Sequence, residues 1–282
     1  MKIYNNNDGS TGKISTSKGN QIKMKVDDIW YKMDYLGYEG LAEYLCSELL
    51  AFTNIKTYVK YEMTEMILND KSFNGCKSKD FLSEDEEIVT ADKLFKVYTG
   101  MPAADFLKQK KDLSQQISLF VNEVERITGI QDYGKELTKI LEWDSFILND
   151  DRHFNNIAFI YNSRTKVFSP CVLFDNGAAF LSDIRYDYPL EKNTYGLISN
   201  VKSKPFSEDF DKQLNVCEKL YGVQLKIDEN IQITQEVEQN IRTQYGDKIG
   251  DRVCDIFEQQ KMLCDYLYTC HDRMKQEEDY ER

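Results

Sequence analysis

Apolar and polar residues alternate through much of the first eighty positions, and a three-to-four-residue spacing takes over afterwards. Residues 21–26, Q-I-K-M-K-V, read as a strand, and residues 28–35 as another. In the latter, Ile29, Tyr31, Met33 and Tyr35 share one face and Trp30, Lys32 and Asp34 the other, because successive strand side chains point to opposite sides. From Glu39 to Phe52 the positions Leu41, Ala42, Leu45, Cys46, Leu49 and Leu50 form a wide apolar stripe, which predicts a helix with one buried face. Residues 56–68 and 73–81 are strand-like, with turn residues at Asn69-Asp70 and at Asn74-Gly75. From about Ala91 the pattern is helical, with one stripe through Leu113, Ile117, Phe120, Val121, Val124 and Ile127 and another through Leu137, Ile140, Leu141 and Phe146. Residues 181–205, rich in Tyr and Pro, read as a loop, of an activation type or facing a substrate. Helices return after Ser207, ending in a long amphipathic one marked by Ile249, Val253, Ile256, Leu263, Leu267 and Met274.

Between these helical stretches, Trp143 to Phe180 predicts a helix end, a polar loop, a hairpin and a second acidic loop. The apolar runs 157–161 and 171–174 are short and separated by turn residues at 162–166. Two Asp-centred loops then lie at neighbouring strand ends, with Asp151 and Asn156 in the first and Asp175 in the second. This trio suits phosphoryl transfer. A carboxylate such as Asp151 accepts the proton of an incoming hydroxyl. An amide and a carboxylate, Asn156 and Asp175, offer hard oxygen ligands to Mg²⁺ on a nucleotide without building a wholly anionic cage.

Composition limits what surrounds this chemistry. A chain of 282 residues, 41% hydrophobic and 30% charged, buries a substantial core as one domain or as two lobes sharing a cleft. The formal net charge of −12 argues against a broad electrostatic grip on nucleic acid or an anionic membrane, since both begin with a basic surface. Seven scattered Cys without a C-x-x-C pair read as reduced, mostly buried thiols. With no apolar leader core and no membrane-length run, the expectation is a cytoplasmic protein.

Two further regions carry candidate chemistry. Gly9, Ser10, Thr11, Gly12 and Lys13 make a short Gly-rich segment in which backbone N–H groups and a cation suit phosphate oxygens. The same residues suit a plain terminal tail, and the spacing is not that of a P-loop. Lys32 follows this segment and precedes the first helix, the place where a kinase keeps its phosphate-binding lysine. Glu43 and Glu48 flank opposite edges of that helix's apolar stripe, and helical geometry alone does not choose which of them meets Lys32.

The order D-R-H-F-N-N from Asp151 to Asn156, followed by D-N-G at Asp175, resembles the catalytic and metal loops of HipA-type serine/threonine kinases, their shorter CtkA-like members especially, and more remotely those of phosphoinositide kinases. The resemblance implies an α+β, two-lobed protein-kinase-like fold. Residues 1–90 would be a nucleotide-binding lobe with an antiparallel sheet and one main helix, and 91–282 a helical catalytic lobe, with ATP and Mg²⁺ between them. It implies Asp151 as base, Asn156 and Asp175 as metal ligands, and Lys32 on the phosphates. Through L-A-E-Y-L it implies Glu43 orienting Lys32. Residues 9–13 would be the Gly-rich loop, with autophosphorylation at Ser10 or Thr11, and His153 would lie beside the nucleotide. The partner it implies is a protein substrate. The chain lacks room for the extra N-terminal subdomain of larger HipA proteins, which argues against their repressor partnership. The alternatives are a phosphoinositide kinase and a nucleotide-binding pseudokinase; an aminoglycoside-type kinase would show H-G-D where this chain reads N-D-D-R-H.

Overall fold

The computed structural model describes residues 2–3, 21–68 and 70–270. Its N-terminal part contains β1 (Lys2–Ile3), β2 (Lys23–Val26), β3 (Ile29–Met33), α1 (Glu39–Leu49) with a 3₁₀ turn at Leu50–Phe52, β4 (Glu62–Leu68) and β5 (Lys71–Lys79). These strands form one sheet in the order β1-β4-β5-β3-β2, antiparallel throughout except that β1 runs parallel to β4. A two-residue turn with Asp27 at φ 52° joins β2 to β3 and sets Lys23 directly opposite Lys32.

Asn74-Gly75, expected as a turn, lies inside β5 instead. The glycine serves close approach rather than a bend. A Cβ on Gly75 would stand 2.1 Å from the Lys32 carbonyl oxygen, and one on Gly40 would stand 2.6 Å from the Gly75 Cα. Two facing glycines thus let α1 lie directly on the sheet.

The C-terminal part begins with β6 (Glu86–Thr90), which joins β7 (Ala158–Asn162) and β8 (Val167–Pro170) in a second, antiparallel sheet of order β6-β7-β8. Four helices follow β6: α2 (Ala91–Thr99), α3 (Ala103–Leu107), α4 (Leu113–Thr128) and α5 (Tyr133–Ile147). The side chains of Thr90 and Asp112 cap α2 and α4, and Gly100 and Gly129 end them in the left-handed region. Beyond β8 come α6 (Thr194–Ile198), α7 (Phe210–Tyr221), β9 (Ile227–Asp228), α8 (Gln235–Tyr245), α9 (Asp247–Leu263) and β10 (Tyr268–Thr269), which pairs parallel to β9.

Two further expectations shift. The hairpin's second strand is Val167–Pro170, not residues 171–174. The ladder stops at a proline, and Leu173 bridges Tyr58 through Leu173 N to Thr57 O and Val59 N to Leu173 O, both 2.9 Å. The last helix stops at Leu263, which is exposed, and Leu267 is buried from the 3₁₀ turn that follows. Met274 lies outside the described residues.

The two parts share a core. The stripe of α1 packs with Trp143, Phe146 and Ile147 of α5 and with Val253, Ile256 and Phe257 of α9. A second cluster joins α2, α4 and α5 to Phe154 and Phe159. Side chains at the end of α8 also reach the first sheet. Tyr245 OH donates to Asp34 Oδ2 (2.8 Å), Gln244 Nε2 to Thr64 O (3.1 Å), and Asn74 Nδ2 to Gln244 O (3.1 Å).

Candidate active site

Lys32 is not the solvated strand lysine that its face alone suggests. Its buried Nζ donates to Asp175 Oδ1 at 2.8 Å and to Tyr61 OH at 3.2 Å, and it forms a short ion pair with Glu43 Oε1. The other Glu43 oxygen accepts from Asn176 N at 2.8 Å, so this one carboxylate ties the β3 lysine to the loop that carries Asp175. Glu48 is exposed on α1. Lys23, opposite Lys32 across the β2–β3 pair, reaches Asp175 Oδ1 as well, at 3.2 Å.

These charges fix one another's ionisation. Burial alone pushes the Lys32 ammonium towards neutrality, but the Asp175 and Glu43 carboxylates outweigh it and hold its pKa well above the ordinary lysine value. Burial likewise disfavours the Asp175 carboxylate, yet Lys32 and Lys23 together hold its pKa far below the usual range. Lys32 and Asp175 therefore stand as a buried pair of opposite charge at the centre of the site.

The facing loop begins where α5 stops, at Leu148 with φ 56°. Arg152 is the fastening of this region. Fully buried, it makes a two-pronged pair with Asp144 of α5 (Nε–Oδ2 2.8 Å, Nη2–Oδ1 2.9 Å) and donates to Asn176 Oδ1 (2.8 Å), Phe174 O (3.0 Å) and Asn156 O (3.1 Å). A guanidinium suits this task because its donors leave a rigid plane in several directions. It locks the loop of Asp151 and the loop of Asp175 to one helix.

Asn156 Nδ2 donates to Asp151 O at 2.8 Å, so its Oδ1 is the atom of this side chain that could hold a metal ion. Asp151 Oδ1 accepts from Lys204 Nζ at 2.8 Å, while His153 Nε2 stands 3.9 Å from Asp151 Oδ2. Neighbouring Asp150 accepts from Tyr188 OH at 2.7 Å. One cleft is lined by Asp150, Asp151, Asn156, Asp175, Gly177 and Tyr188.

The structure thus brings Asp151, Asn156 and Asp175 to a common cleft, joins Lys32 and Glu43 to it through Asp175, and puts His153 beside Asp151. Gly9, Ser10, Thr11, Gly12 and Lys13 lie outside the described residues. Sequence reasoning missed Lys23, Arg152 and Lys204. The first was recoverable, because a two-residue turn at Asp27-Asp28 makes positions 23 and 32 cross-strand partners.

The Lys32–Glu43 contact carries a prediction. Lys32→Met and Glu43→Gln should each impair nucleotide-dependent activity, and the double variant should lose little more than the worse single one, as contacting residues do. Additive losses, measured as kcat/KM for the four proteins of the cycle, would show that the two side chains act independently.

No family model matches the chain, and no curated protein does. Among solved structures, the crystal structure of the Helicobacter pylori proinflammatory kinase CtkA is similar to it over 91% of this chain and 92% of that one, with a TM-score of 0.59 and 14% identical residues. The fold is kinase-like. That likeness agrees with the α+β arrangement above, an N-terminal sheet bearing one helix followed by a mainly helical part. Among the described residues, no helix is long and apolar enough to cross a membrane.

Proposed function

We propose that this chain is an ATP-dependent serine/threonine protein kinase, its nucleotide bound between a lobe of about the first ninety residues and the helical remainder. The reading rests on one observation above all: Asp175 and Asp151 line one cleft within a kinase-like fold, and Asp175 is bonded behind it to Lys32, which Glu43 holds. Lys32, held by Glu43, and Lys23 are cations suited to nucleotide phosphates, and both now lie against Asp175 as a metal ion would. Asn156 Oδ1 and the Asp175 carboxylate fit Mg²⁺ by donor chemistry, being hard oxygens backed by those positive charges. Bound there, Mg²⁺ would neutralise charge on the phosphates. Asp151 orients the acceptor hydroxyl and takes its proton. Autophosphorylation at Ser10 or Thr11 belongs to the same reading, by resemblance to the HipA-type kinases.

Incubating the purified chain with γ-labelled ATP and Mg²⁺, alone and with protein or phosphoinositide added, tests this. Label on Ser or Thr of protein, absent from the Lys32→Met form, is the expected result. Label on phosphoinositide alone would make the chain a lipid kinase. Nucleotide binding with neither transfer nor hydrolysis would make it a pseudokinase.

A further inference from the structure

Residues 203–208 form a tight loop beside the catalytic loop. Ser203 N donates to Glu208 O at 3.0 Å and Ser203 Oγ to Ser207 O at 2.7 Å. Gln213, fully buried on α7, donates from Nε2 to Lys204 O at 3.1 Å, and its Oε1 accepts from Phe206 N at 3.0 Å and Ser207 N at 3.3 Å. Phe206 packs edge-on against Phe154 of the catalytic loop and Phe120 of α4, with ring centroids 5.4 and 5.3 Å apart. The Lys204 backbone is thereby fixed relative to Asp151, and its Nζ stands 2.8 Å from Asp151 Oδ1 across 53 residues of sequence.

The catalytic loop does not fill this place itself. Arg152 is committed to Asp144, Asn176 and backbone carbonyls, and the His153 ring approaches only the other Asp151 oxygen, at 3.9 Å. The Lys204 side chain is 38% exposed, and its Nζ stands on Asp151, which lines the cleft. The pair joins a partly exposed Lys204 to a nearly buried Asp151, so the firm mounting of the Lys204 backbone sets where its cation stands relative to that carboxylate.

We propose that Lys204 is a catalytic cation that contacts the γ-phosphoryl group during transfer while holding Asp151 towards the acceptor hydroxyl; this rests on the kinase reading. In that step the acceptor oxygen bonds to the γ-phosphorus as the bond to the β,γ-bridging oxygen breaks. The hydroxyl proton passes to Asp151, and the electron pair of the broken bond leaves with ADP. Lys204 keeps its proton, and its charge lies where negative charge spreads over the transferring oxygens. This is the part that an arginine finger supplied in cis plays in other phosphoryl-transfer enzymes.

Lys204→Met, Lys204→Arg and Lys204→Ala test it in the full chain, with ATP titration and phosphotransfer read separately. The Met form should lose roughly 10²–10³-fold in kcat with nucleotide affinity unchanged. The Arg form should retain more activity, and an added primary alkylamine should restore part of the Ala form's turnover. An active wild type with an equally active Met form overturns the role of Lys204 and leaves the kinase reading standing. So does a loss of kcat matched by lost nucleotide affinity and unrelieved by amine, since that marks a structural contact. A wild type inert towards every acceptor and without ATP hydrolysis overturns both.

Discussion

Asp151→Asn should leave nucleotide binding intact while lowering phosphoryl transfer by roughly 10²–10⁴-fold, the usual contribution of a positioned proton acceptor. The separation is expected because the hydrogen bonds that shape this loop at position 151 are made by its backbone. Asp151 N donates to Asn149 Oδ1 at 3.2 Å and Asp151 O accepts from Asn156 Nδ2, and an amide in place of the carboxylate disturbs neither. What disappears is the acceptor oxygen's charge, on which both proton removal and the pairing with Lys204 depend. Single-turnover transfer from labelled ATP beside a calorimetric nucleotide titration measures the two effects independently. Turnover at the wild-type rate would remove Asp151 from the chemistry.

Arg152→Met should be the most damaging single change to the fold near the site. It strips the one charged partner that Asp144, a carboxylate with 1% exposure, has among the described residues. Burial already raises the Asp144 pKa, and Arg152 offsets that only in part. Leaving such a charge unpaired costs about 3–5 kcal/mol, which for a chain of this size lowers Tm by roughly 10 °C. Activity should fall further than the unfolded fraction explains, because Arg152 also holds Asn176 Oδ1 and Phe174 O on either side of Asp175. Adding Asp144→Leu should recover much of the stability and little of the activity, since the second change removes the stranded charge without restoring the bonds around Asp175. Thermal melts and kcat on the two proteins check both halves. A single variant that melts with the wild type would show that Arg152 is not the fastening described.

How far the sequence shows all this depends on the range of the interaction. Asp151, Asn156 and Asp175 are legible because the chemistry restricts residue type and because each sits in a short polar stretch between apolar runs. The choice between Glu43 and Glu48 is invisible to helical periodicity, which places them at opposite edges of one stripe. It is made by how α1 seats on the sheet, through two facing glycines of which Gly75 read locally as a turn. The hairpin register failed for a similar reason. Residues 171–174 have strand composition, but their partner is the segment around Tyr58, over a hundred residues away, rather than β7. Arg152 looks like an ordinary loop cation until Asp144 and Asn176 are seen around it, and nothing near Lys204 in sequence points to Asp151.

The side-chain bonds from the end of α8 to the first sheet bear on how nucleotide gets in and out. A kinase is commonly pictured as a pair of jaws swinging on the strand-to-helix linker, yet here the upper jaw is also buttoned to the lower one. Tyr245 is on Asp34, Gln244 on Thr64 and Asn74 on Gln244, beside a helix whose apolar face is sunk in the lower jaw's core. Wide gaping must undo three hydrogen bonds, each worth on the order of 1 kcal/mol, and unseat α1 as well. On the kinase reading proposed above, exchange of ATP for ADP would be better served by the outer edge of the sheet, where among the described residues β2 pairs with β3 alone and carries Lys23. On that reading, a stiff frame with a yielding lip would keep Lys32, Glu43 and Asp175 in register from one turnover to the next and leave admission of the nucleotide to the lip.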